Sequence, residues 1–463
     1  MTRHYEKKRG YGSKKRRQPW RPPERKAKKL PATQRLLFND MSEEPLIVER
    51  PDHNISRQHI DKEALKVLYR LKDHGFTAYL VGGSVRDLQL GKKPKDFDVG
   101  TDAPPARIRK IFRHSRIIGK RFRLVHVYFR GGKVIEVSTF RKKIDMADTE
   151  AARDGVTDHE MFGHPREDAL RRDITINGLF YNIADFSIID YVGGMEDLRT
   201  GVIRTIGDPE RRFLRDPVRM MRVIRHAART GFDIERQTWD AVVKHADKIR
   251  LCAIPRVRDE WLKDMHTGVC AEWARLMIKC GLFQAVFPCY AKLPLDHDDC
   301  MDREHSCETG RTLTGLFAFL DRYVRKYGKL HESLILAVLA YPLLNAMPEW
   351  KKLNGNRIRW ATHEARTLTR HMFDPYDFGR YSRELMSQIL ATQNPIRICA
   401  RNNNWPKRVW SKEFFADALE LYNAFEILNG RSPVKNAPQV SRAPGTRHAK
   451  KRYKNHHRKQ RKR

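Results

Sequence analysis

The spacing of apolar residues changes along this chain and predicts a small mixed α/β region followed by a long helical one. Residues 60–72 carry apolar side chains at helical spacing, which predicts an amphipathic helix. The segments 78–82 and 84–91 then predict a short buried strand and a helix that begins at Ser84.

The next apolar segments predict further strands. A short strand is expected at 97–99, and the segments 123–129 and 133–140 alternate apolar and polar residues on either side of a Gly-Gly pair, which predicts a hairpin. Residues 78–140 are therefore expected to form an α/β unit with a mixed or antiparallel sheet.

The remaining pattern divides the chain after this unit. The segment 141–166 is polar and irregular, and we expect a mobile loop there. From residue 208 to residue 430 the pattern is almost entirely helical.

The basic charge of the chain is concentrated in its two ends. Residues 1–30 hold 13 Lys or Arg against 2 Asp or Glu, and residues 431–463 hold 13 against none, within a net charge of +36. We predict disordered basic segments over 1–50 and 431–463, because neither has much to bury. Such an excess favours a polyanionic partner such as RNA, and improved solubility alone is the alternative.

The seven cysteines form no CxxC pair and are odd in number, so a disulfide framework is not expected. Together with the absence of a long apolar run, this predicts a protein of the reducing cytoplasm without a membrane span. The residues His297, Cys300, His305 and Cys307 include zinc-binding types. Their spacing fits no standard finger, which favours a solvated loop.

Two acidic residues in PKDFDV are the first candidates for chemistry. In a strand, Asp96 and Asp98 would face the same way about 7 Å apart, with Phe97 and Val99 on the core side. Such a pair suits two Mg²⁺ ions, one activating the attacking oxygen and one holding the leaving group. Alone, the pattern is more typical of a turn or of a solvated acidic surface.

Neighbouring motifs strengthen this interpretation. Gly82 and Gly83 lie between a strand and a helix, where backbone N–H groups can approach a phosphate and Arg86 can add charge. By itself the glycine pair also suits an ordinary strand-to-helix turn. Glu136 interrupts an apolar strand, and we expect a third catalytic carboxylate there, the alternative being a solvent-facing position.

A later helical segment carries charge at regular spacing. Asp216, Arg219 and Arg222 lie three residues apart, opposite an apolar stripe. They would either read a base edge or form a ladder of ion pairs on a solvated helix.

Five motifs in order resemble the class II nucleotidyltransferases, the family of bacterial poly(A) polymerases and CCA-adding enzymes. They are LVGGSVRDLQLGKKPKDFDV, VIEVSTFR, EDALRRDITIN, DYVGGMEDLRTGVIRTIGDP and RDPVRMMRVIR. The resemblance covers residues 53–287, about half of the chain. It implies an α+β fold, with a small DNA polymerase beta-like head followed by an all-helical neck, body and leg. The implied domains are the head at 51–195, the neck at 196–260, and the RNA-binding body and leg at 261–430.

The resemblance also implies roles for individual residues. Asp96 and Asp98 would be metal ligands. The remaining implied sites all bind the nucleotide: Gly82, Gly83, Arg86 and Asp87 at the triphosphate, Arg172, Asp173 and Asn177 in its positioning, and Asp216, Arg219 and Arg222 at the base.

Within the family, IIGKRFRLVHV at 117–127 is similar to the poly(A) polymerase branch. The implied activity is addition of AMP from ATP to RNA 3′ ends, without a template and with release of pyrophosphate. A CCA-adding enzyme, which would use CTP as well, is the first alternative, and Arg215 stands where the family usually has Glu. A basic RNA-binding protein without catalysis is the second.

Overall fold

The computed structural model describes residues 44–119, 123–142, 162–291, 308–328, 330–347, 350 and 358–440. It divides into two compact units, the first ending at Gly201 and the second beginning at Val202. Most of the two basic ends, most of the predicted loop at 141–166 and all four candidate zinc ligands lie outside the described residues.

The first unit is built on one eight-stranded sheet. Its strands are β1 (Leu46–Val48), β2 (Ala78–Val81), β3 (Asp98–Thr101), β4 (Ser115–Ile118), β5 (Leu124–Tyr128), β6 (Val134–Thr139), β7 (Leu179–Asn182) and β8 (Ile188–Asp190). Its described helices are α1 (Lys62–Asp73), α2 (Gly83–Gln89), α3 (Pro105–Ile111), α4 (Pro165–Leu170) and α5 (Gly194–Thr200), with short 3₁₀ helices at Arg50–Asp52, Arg57–His59, Arg130–Gly132 and Thr175–Asn177.

The strand order is β1-β8-β7-β2-β3-β6-β5-β4, and every pair is antiparallel except β3 with β6. The predicted mixed sheet and the hairpin of β5 and β6 are therefore confirmed. The prediction of a disordered extension over 1–50 is wrong for residues 46–48. These three apolar residues pair with β8 and extend the sheet by one edge strand.

Helix α1 shows why the sequence folds locally as it does. The Asp61 side chain accepts hydrogen bonds from the backbone N–H groups of Glu63 and Ala64, which caps the helix at its start. The buried side chains of α1 recur every three or four residues, and the helix contacts β2, β3 and β6. The predicted amphipathic helix is thus confirmed, and it covers the face of the sheet that carries Val99 and Val137.

A single row of paired residues crosses the opposite face of the sheet from edge to edge. In order it consists of Ile47, Ile189, Phe180, Val81, Asp98, Glu136, His126 and Arg116. Residues directly opposite one another on neighbouring strands point to the same side, so these side chains share one face. We call this set the sheet row. It is apolar from Ile47 to Val81 and polar from Asp98 to Arg116.

The second unit is helical, as predicted for residues 208–430. Its described helices are α6 (Pro209–Arg215), α7 (Val218–Thr230), α8 (Arg236–His245), α9 (Ile254–Met265), α10 (Cys270–Lys279), α11 (Leu282–Val286), α12 (Glu308–Tyr327), α13 (Glu332–Ala346), α14 (Ile358–Thr369), α15 (Arg380–Ala391), α16 (Gln393–Asn402), α17 (Lys407–Trp410) and α18 (Phe415–Leu428), with 3₁₀ helices at Ala246–Leu251 and Pro288–Tyr290 and a two-stranded sheet of β9 (Val202–Ile203) and β10 (Asp233–Ile234).

The core of this second unit is aromatic: Trp261 and Trp273 are at most 1% exposed and contact neighbouring phenylalanines edge-on. None of the helices in the described ranges combines the length and the apolar character that a bilayer crossing requires.

Candidate active site

The two acidic residues of the DFD motif occupy different environments. Asp98 is the first residue of β3 and pairs with Val81, whereas Asp96 lies in the preceding loop and is exposed. The prediction that both lie in a strand is therefore wrong for Asp96. Since β2 ends opposite Asp98 and the chain turns there into α2, residues 96–97 have no partner on that side. The predicted burial of Phe97 and Val99 is confirmed.

Asp98 lies in a locally negative environment. Burial, and then the charges of Glu136 and Asp96, raise the pKa of its carboxyl to about 6, while Arg172 acts in the opposite direction. The negative charge at the start of β3 is therefore incompletely offset by the positive groups of the chain. A bound cation would stabilise the charged form of Asp98.

Glu136 lies beside Asp98 on the parallel neighbour β6, on the same face of the sheet. Its side chain is 53% exposed, and its Oε1 lies 3.2 Å from Nε2 of His126 on β5. Glu136 therefore faces the Asp98 side of the sheet and is also open to solvent. Within the described residues no group of three His, Cys, Asp or Glu side chains converges as a metal cluster. The third-carboxylate role of Glu136 stays a prediction.

The donor set still suits a hard cation. Asp96 and Asp98 offer carboxylate oxygens, which are the ligands that Mg²⁺ prefers. Burial first, then the charges of Glu136 and Asp96, disfavour the charged form of Asp98, which gives a physical reason for a cation to bind there.

Gly82 occupies a position that a side chain would obstruct. Its φ of 71° and ψ of −132° favour glycine, and a Cβ there would lie 2.8 Å from Nη1 of Arg172. The turn after β2 thus lets the Arg172 guanidinium approach the backbone. Helix α2 begins at Gly83, one residue before the prediction, and Ser84 Oγ donates to the carbonyl of Val81.

Arg86 is buried and braces the turn from inside. It is 3% exposed, and it donates from Nε and Nη2 to Asp87 Oδ1, at 2.9 and 2.7 Å, and from Nη1 to Asn177 Oδ1, at 2.7 Å. Asn177 in turn donates to Asp173 Oδ1, at 3.4 Å. The structure thus brings together four predicted nucleotide-binding residues in one network. Direct contact of Arg86 with a phosphate stays a prediction.

Arg172 is held from several sides. Its Nη2 donates to Asp168 Oδ2 at 2.8 Å and its Nη1 donates to the carbonyl of Asn177 at 3.2 Å. Its guanidinium also lies 5.3 Å from the centre of the Phe180 ring. Sequence reasoning missed Asp168, although the i,i+4 spacing to Arg172 was a usable signal.

The predicted base-recognition residues lie in the second unit at a break between two helices. Asp216 separates α6 from α7, because the following Pro217 disfavours helical backbone at the residue before it. The expected single helix over this segment is therefore two. The predicted apolar stripe on α7 is confirmed by the burial of Met220, Val223 and Ile224.

Asp216 is clamped by arginine. Arg256 Nη1 and Nη2 lie 2.8 and 2.9 Å from its two carboxylate oxygens, and Arg219 Nε lies 3.4 Å away. Arg222 lies one turn further along α7. Arg256 comes from α9, 40 residues later in the chain, and no local spacing rule would have found it.

Comparison with known proteins identifies the family of this chain. Residues 78–204 match the family described as "Poly A polymerase head domain", and residues 231–293 match "Probable RNA and SrmB- binding site of polymerase A". Poly(A) polymerase I of Salmonella typhimurium is 36% identical over 409 residues, which cover 86% of this chain and 83% of that protein. The CCA-adding enzyme of Lactobacillus helveticus is 38% identical over 202 residues, covering 43% of this chain and 49% of that protein.

Solved structures show the same relationship. The Bacillus stearothermophilus CCA-adding enzyme in complex with CTP matches with a TM-score of 0.55 and 26% identity, covering 85% of this chain and 81% of that one. The predicted α+β fold is confirmed. Poly(A) polymerase I of Salmonella typhimurium is 36% identical to this chain, and the alignment covers 83% of that protein. The chain therefore belongs to the family of poly(A) polymerases and CCA-adding enzymes.

Proposed function

We propose that this protein transfers AMP from ATP to the 3′ end of RNA without a template and releases pyrophosphate. The observation that carries the proposal is the environment of Asp98. This carboxyl lies on the polar half of the sheet row, from Asp98 to Arg116, which we call the open half. It is next to the Gly82 turn, and two further carboxylates help to raise its pKa. Concentrated negative charge beside a glycine turn suits nucleotidyl transfer.

The proposed chemistry is an in-line displacement. The RNA 3′-hydroxyl oxygen forms a bond to the α-phosphorus of ATP, and the bond from this phosphorus to the bridging oxygen of the β-phosphate breaks. The hydroxyl loses its proton, and pyrophosphate leaves with the electron pair of the broken bond. The chain contributes mainly by positioning the reactants and offsetting charge.

Asp96 and Asp98 would hold two Mg²⁺ ions, with Glu136 as the third carboxylate. When bound, Mg²⁺ activates the attacking oxygen and neutralises charge on the leaving group. The buried network of Arg86, Asp87 and Asn177 would keep the turn at Gly82 in place for the triphosphate.

Two observations favour ATP alone over the CTP-then-ATP pattern of a CCA-adding enzyme. The relationship to poly(A) polymerase I extends over more of the chain than the relationship to the CCA-adding enzyme does. In addition, Arg256 holds Asp216 on both oxygens, which limits its motion and suits a fixed base choice.

RNA as the partner rests on the net charge of +36 and on the match at residues 231–293. We also propose a cytoplasmic location, which fits the free thiols of the described cysteines Cys252, Cys270, Cys280, Cys289 and Cys399.

One assay separates the candidate functions. Purified full-length protein with Mg²⁺ would receive each nucleoside triphosphate singly, on oligo(A) and on a tRNA that lacks its 3′ CCA. We expect long tails from ATP alone on oligo(A). Addition of CTP followed by ATP in three fixed steps would identify a CCA-adding enzyme instead. Absence of incorporation on both RNAs would favour the RNA-binding protein.

A further inference from the structure

A small cavity lies in the first unit where the segment before α1 meets the turn between β7 and β8. It has a volume of about 220 Å³ and is lined by Arg50, Ser56, Arg57, Gln58, Tyr181 and Phe186. We call it the arginine pocket. Its volume is below the roughly 300–1,000 Å³ of sites for drug-sized ligands, so it would fit one small group and not a whole nucleotide.

The two arginines of the pocket are held by neutral groups. Arg50 Nη1 donates to the carbonyl of His53 at 3.1 Å, and Arg57 Nη1 donates to the hydroxyl of Tyr69 at 3.1 Å. In the part of the chain that the structure describes, neither guanidinium forms an ion pair with a carboxylate. Their positive charge is therefore oriented but not neutralised, which is the condition for binding an anion.

Two carboxylates lie near the pocket, and neither of them lines it. Asp185 accepts hydrogen bonds from the backbone N–H and the hydroxyl of Ser187, at 2.9 and 2.7 Å. Asp52 is exposed to solvent in the 3₁₀ helix that follows Glu49. Among the residues that line the pocket, the two arginines carry the charge.

Tyr181 adds a buried donor. The residue is 0% exposed, and among the described residues no hydrogen bond to its hydroxyl is found. Burial raises its pKa, the charges of Arg50 and Arg57 act in the opposite direction, and those of Tyr69 and Asp185 act with burial. Tyr181 lines the same cavity as both arginines, where its hydroxyl can donate a hydrogen bond to a ligand.

Phe186 fixes one wall of the pocket at the expense of backbone strain. Its φ is 65°, in the left-handed region that non-glycine residues rarely adopt, and its carbonyl lies 2.7 Å from Nε2 of His53. The ring lies under Arg57, with the guanidinium carbon 4.6 Å from the ring centre. Strained backbone often occurs where a ligand is held.

We propose that the arginine pocket binds a single phosphoryl group through Arg50, Arg57 and the hydroxyl of Tyr181. Two guanidinium groups and a hydroxyl supply several donors to the oxygens of one tetrahedral anion. The group would be a backbone phosphate of RNA or a free phosphate. The RNA source rests on the proposed function, whereas the free-phosphate source does not.

This site is separate from the candidate active site. Tyr181 follows Phe180 on β7, and successive side chains of a strand point to opposite faces. Since Phe180 belongs to the sheet row with Asp98, Tyr181 lies on the other face. The pocket would thus hold RNA away from its reacting end, or sense free phosphate.

The test compares two double variants of the full chain. Arg50→Gln with Arg57→Gln removes both charges of the pocket, and Arg107→Gln with Arg109→Gln removes two exposed arginines of α3 as a matched control. Tyr181→Phe removes one hydroxyl alone. Thermal unfolding in chloride buffer confirms that each variant folds.

Two measurements distinguish the sources. With inorganic phosphate at constant ionic strength, a rise in Tm that the pocket variants lose and the control keeps indicates free phosphate. With single-stranded oligo(A), binding weaker than the control's, with a logarithmic salt slope lower by about one, indicates an RNA phosphate. If the pocket variants match the control in both measurements, the proposal is wrong. Loss of AMP transfer in every form of the protein, with phosphate-dependent stabilisation intact, would overturn the proposed function instead and leave the pocket standing.

Discussion

The two halves of the sheet row share one backbone geometry and differ in what covers them. Phe180 and Val81 are 0% and 2% exposed, and Phe180 packs against the rings of Tyr79, Phe140 and Tyr191. One strand further on, the row turns polar and opens to solvent, with the Glu136 side chain 53% exposed.

This difference shows how one sheet separates stability from chemistry. The covered half contributes apolar burial, which stabilises the fold. The open half keeps carboxylates close together at a cost in stability, because burial disfavours the charged form of Asp98 and the neighbouring carboxylates repel it. Arg172 lies at the junction, near the Phe180 ring and near enough to Asp98 to lower its pKa.

The largest effect is expected in the covered half. Phe180→Ala should lower the free energy of unfolding by about 3–5 kcal/mol, because it leaves a cavity among three aromatic rings. Ile47→Ala is the control, since Ile47 belongs to the same row but is 49% exposed at the sheet edge. Urea unfolding measures both variants. Equal losses would show that the burial of Phe180 among these rings contributes nothing beyond its place in the row.

In the open half we expect a substitution that raises the free energy of unfolding. Asp98→Asn should raise the free energy of unfolding at neutral pH, by up to about 3 kcal/mol, since the pKa of Asp98 rises from 3.8 to about 6 on folding. The pKa of Asp98 is higher in the folded state, which therefore favours the neutral carboxyl. Below pH 3.8 Asp98 does not reduce the free energy of unfolding of the protein, and this free energy falls as pH rises from 3.8 to about 6. The gain from Asp98→Asn should therefore fade as pH falls through this window. A gain independent of pH would contradict the raised pKa of Asp98 in the folded state.

The junction between the halves is tested at Gly82. Gly82→Ala and Gly91→Ala both place a side chain at positive φ, at 71° and 66°, and each should cost about 1–3 kcal/mol. A Cβ at Gly91 meets nothing within 4 Å, whereas one at Gly82 lies 2.8 Å from Arg172. We expect a loss of AMP incorporation beyond the loss of stability in Gly82→Ala alone. Similar activity in both variants would show that AMP incorporation does not depend on the close approach of Arg172 to Gly82.

The smallest effect concerns the contact that orients Glu136. His126→Ala should lower kcat roughly 2- to 5-fold, the range for loss of one exposed contact to a carboxylate of up to about 1 kcal/mol. His126→Gln keeps a donor near the same place and should recover most of the loss. Steady-state kinetics with oligo(A) would show the effect in kcat with little change in KM. Full activity of His126→Ala would mean that Glu136 needs no orientation.

Local patterns predicted much of this arrangement. The alternation in β5 and β6, the helical spacing in α1 and the Gly-Gly turn each depend on neighbours in the chain, which a sequence shows directly. The loop position of Asp96 could not be predicted from the sequence, because the residue at which β3 begins depends on where its antiparallel partner β2 ends. The contact of Arg256 could not be predicted from the sequence for a related reason. Its contact with Asp216 joins two helices through tertiary packing.

We propose that Asp98, on the open half of the row, supports transfer of AMP to RNA. The most direct test is AMP incorporation into oligo(A) by Asp98→Asn, with Asp102→Asn as a control that removes an exposed carboxylate just beyond β3. We predict a loss of at least about 10²- to 10³-fold for Asp98→Asn, as for removal of one preorganised electrostatic group, with the folded structure retained and the control active. Undiminished incorporation by folded Asp98→Asn would contradict the assignment of the active site.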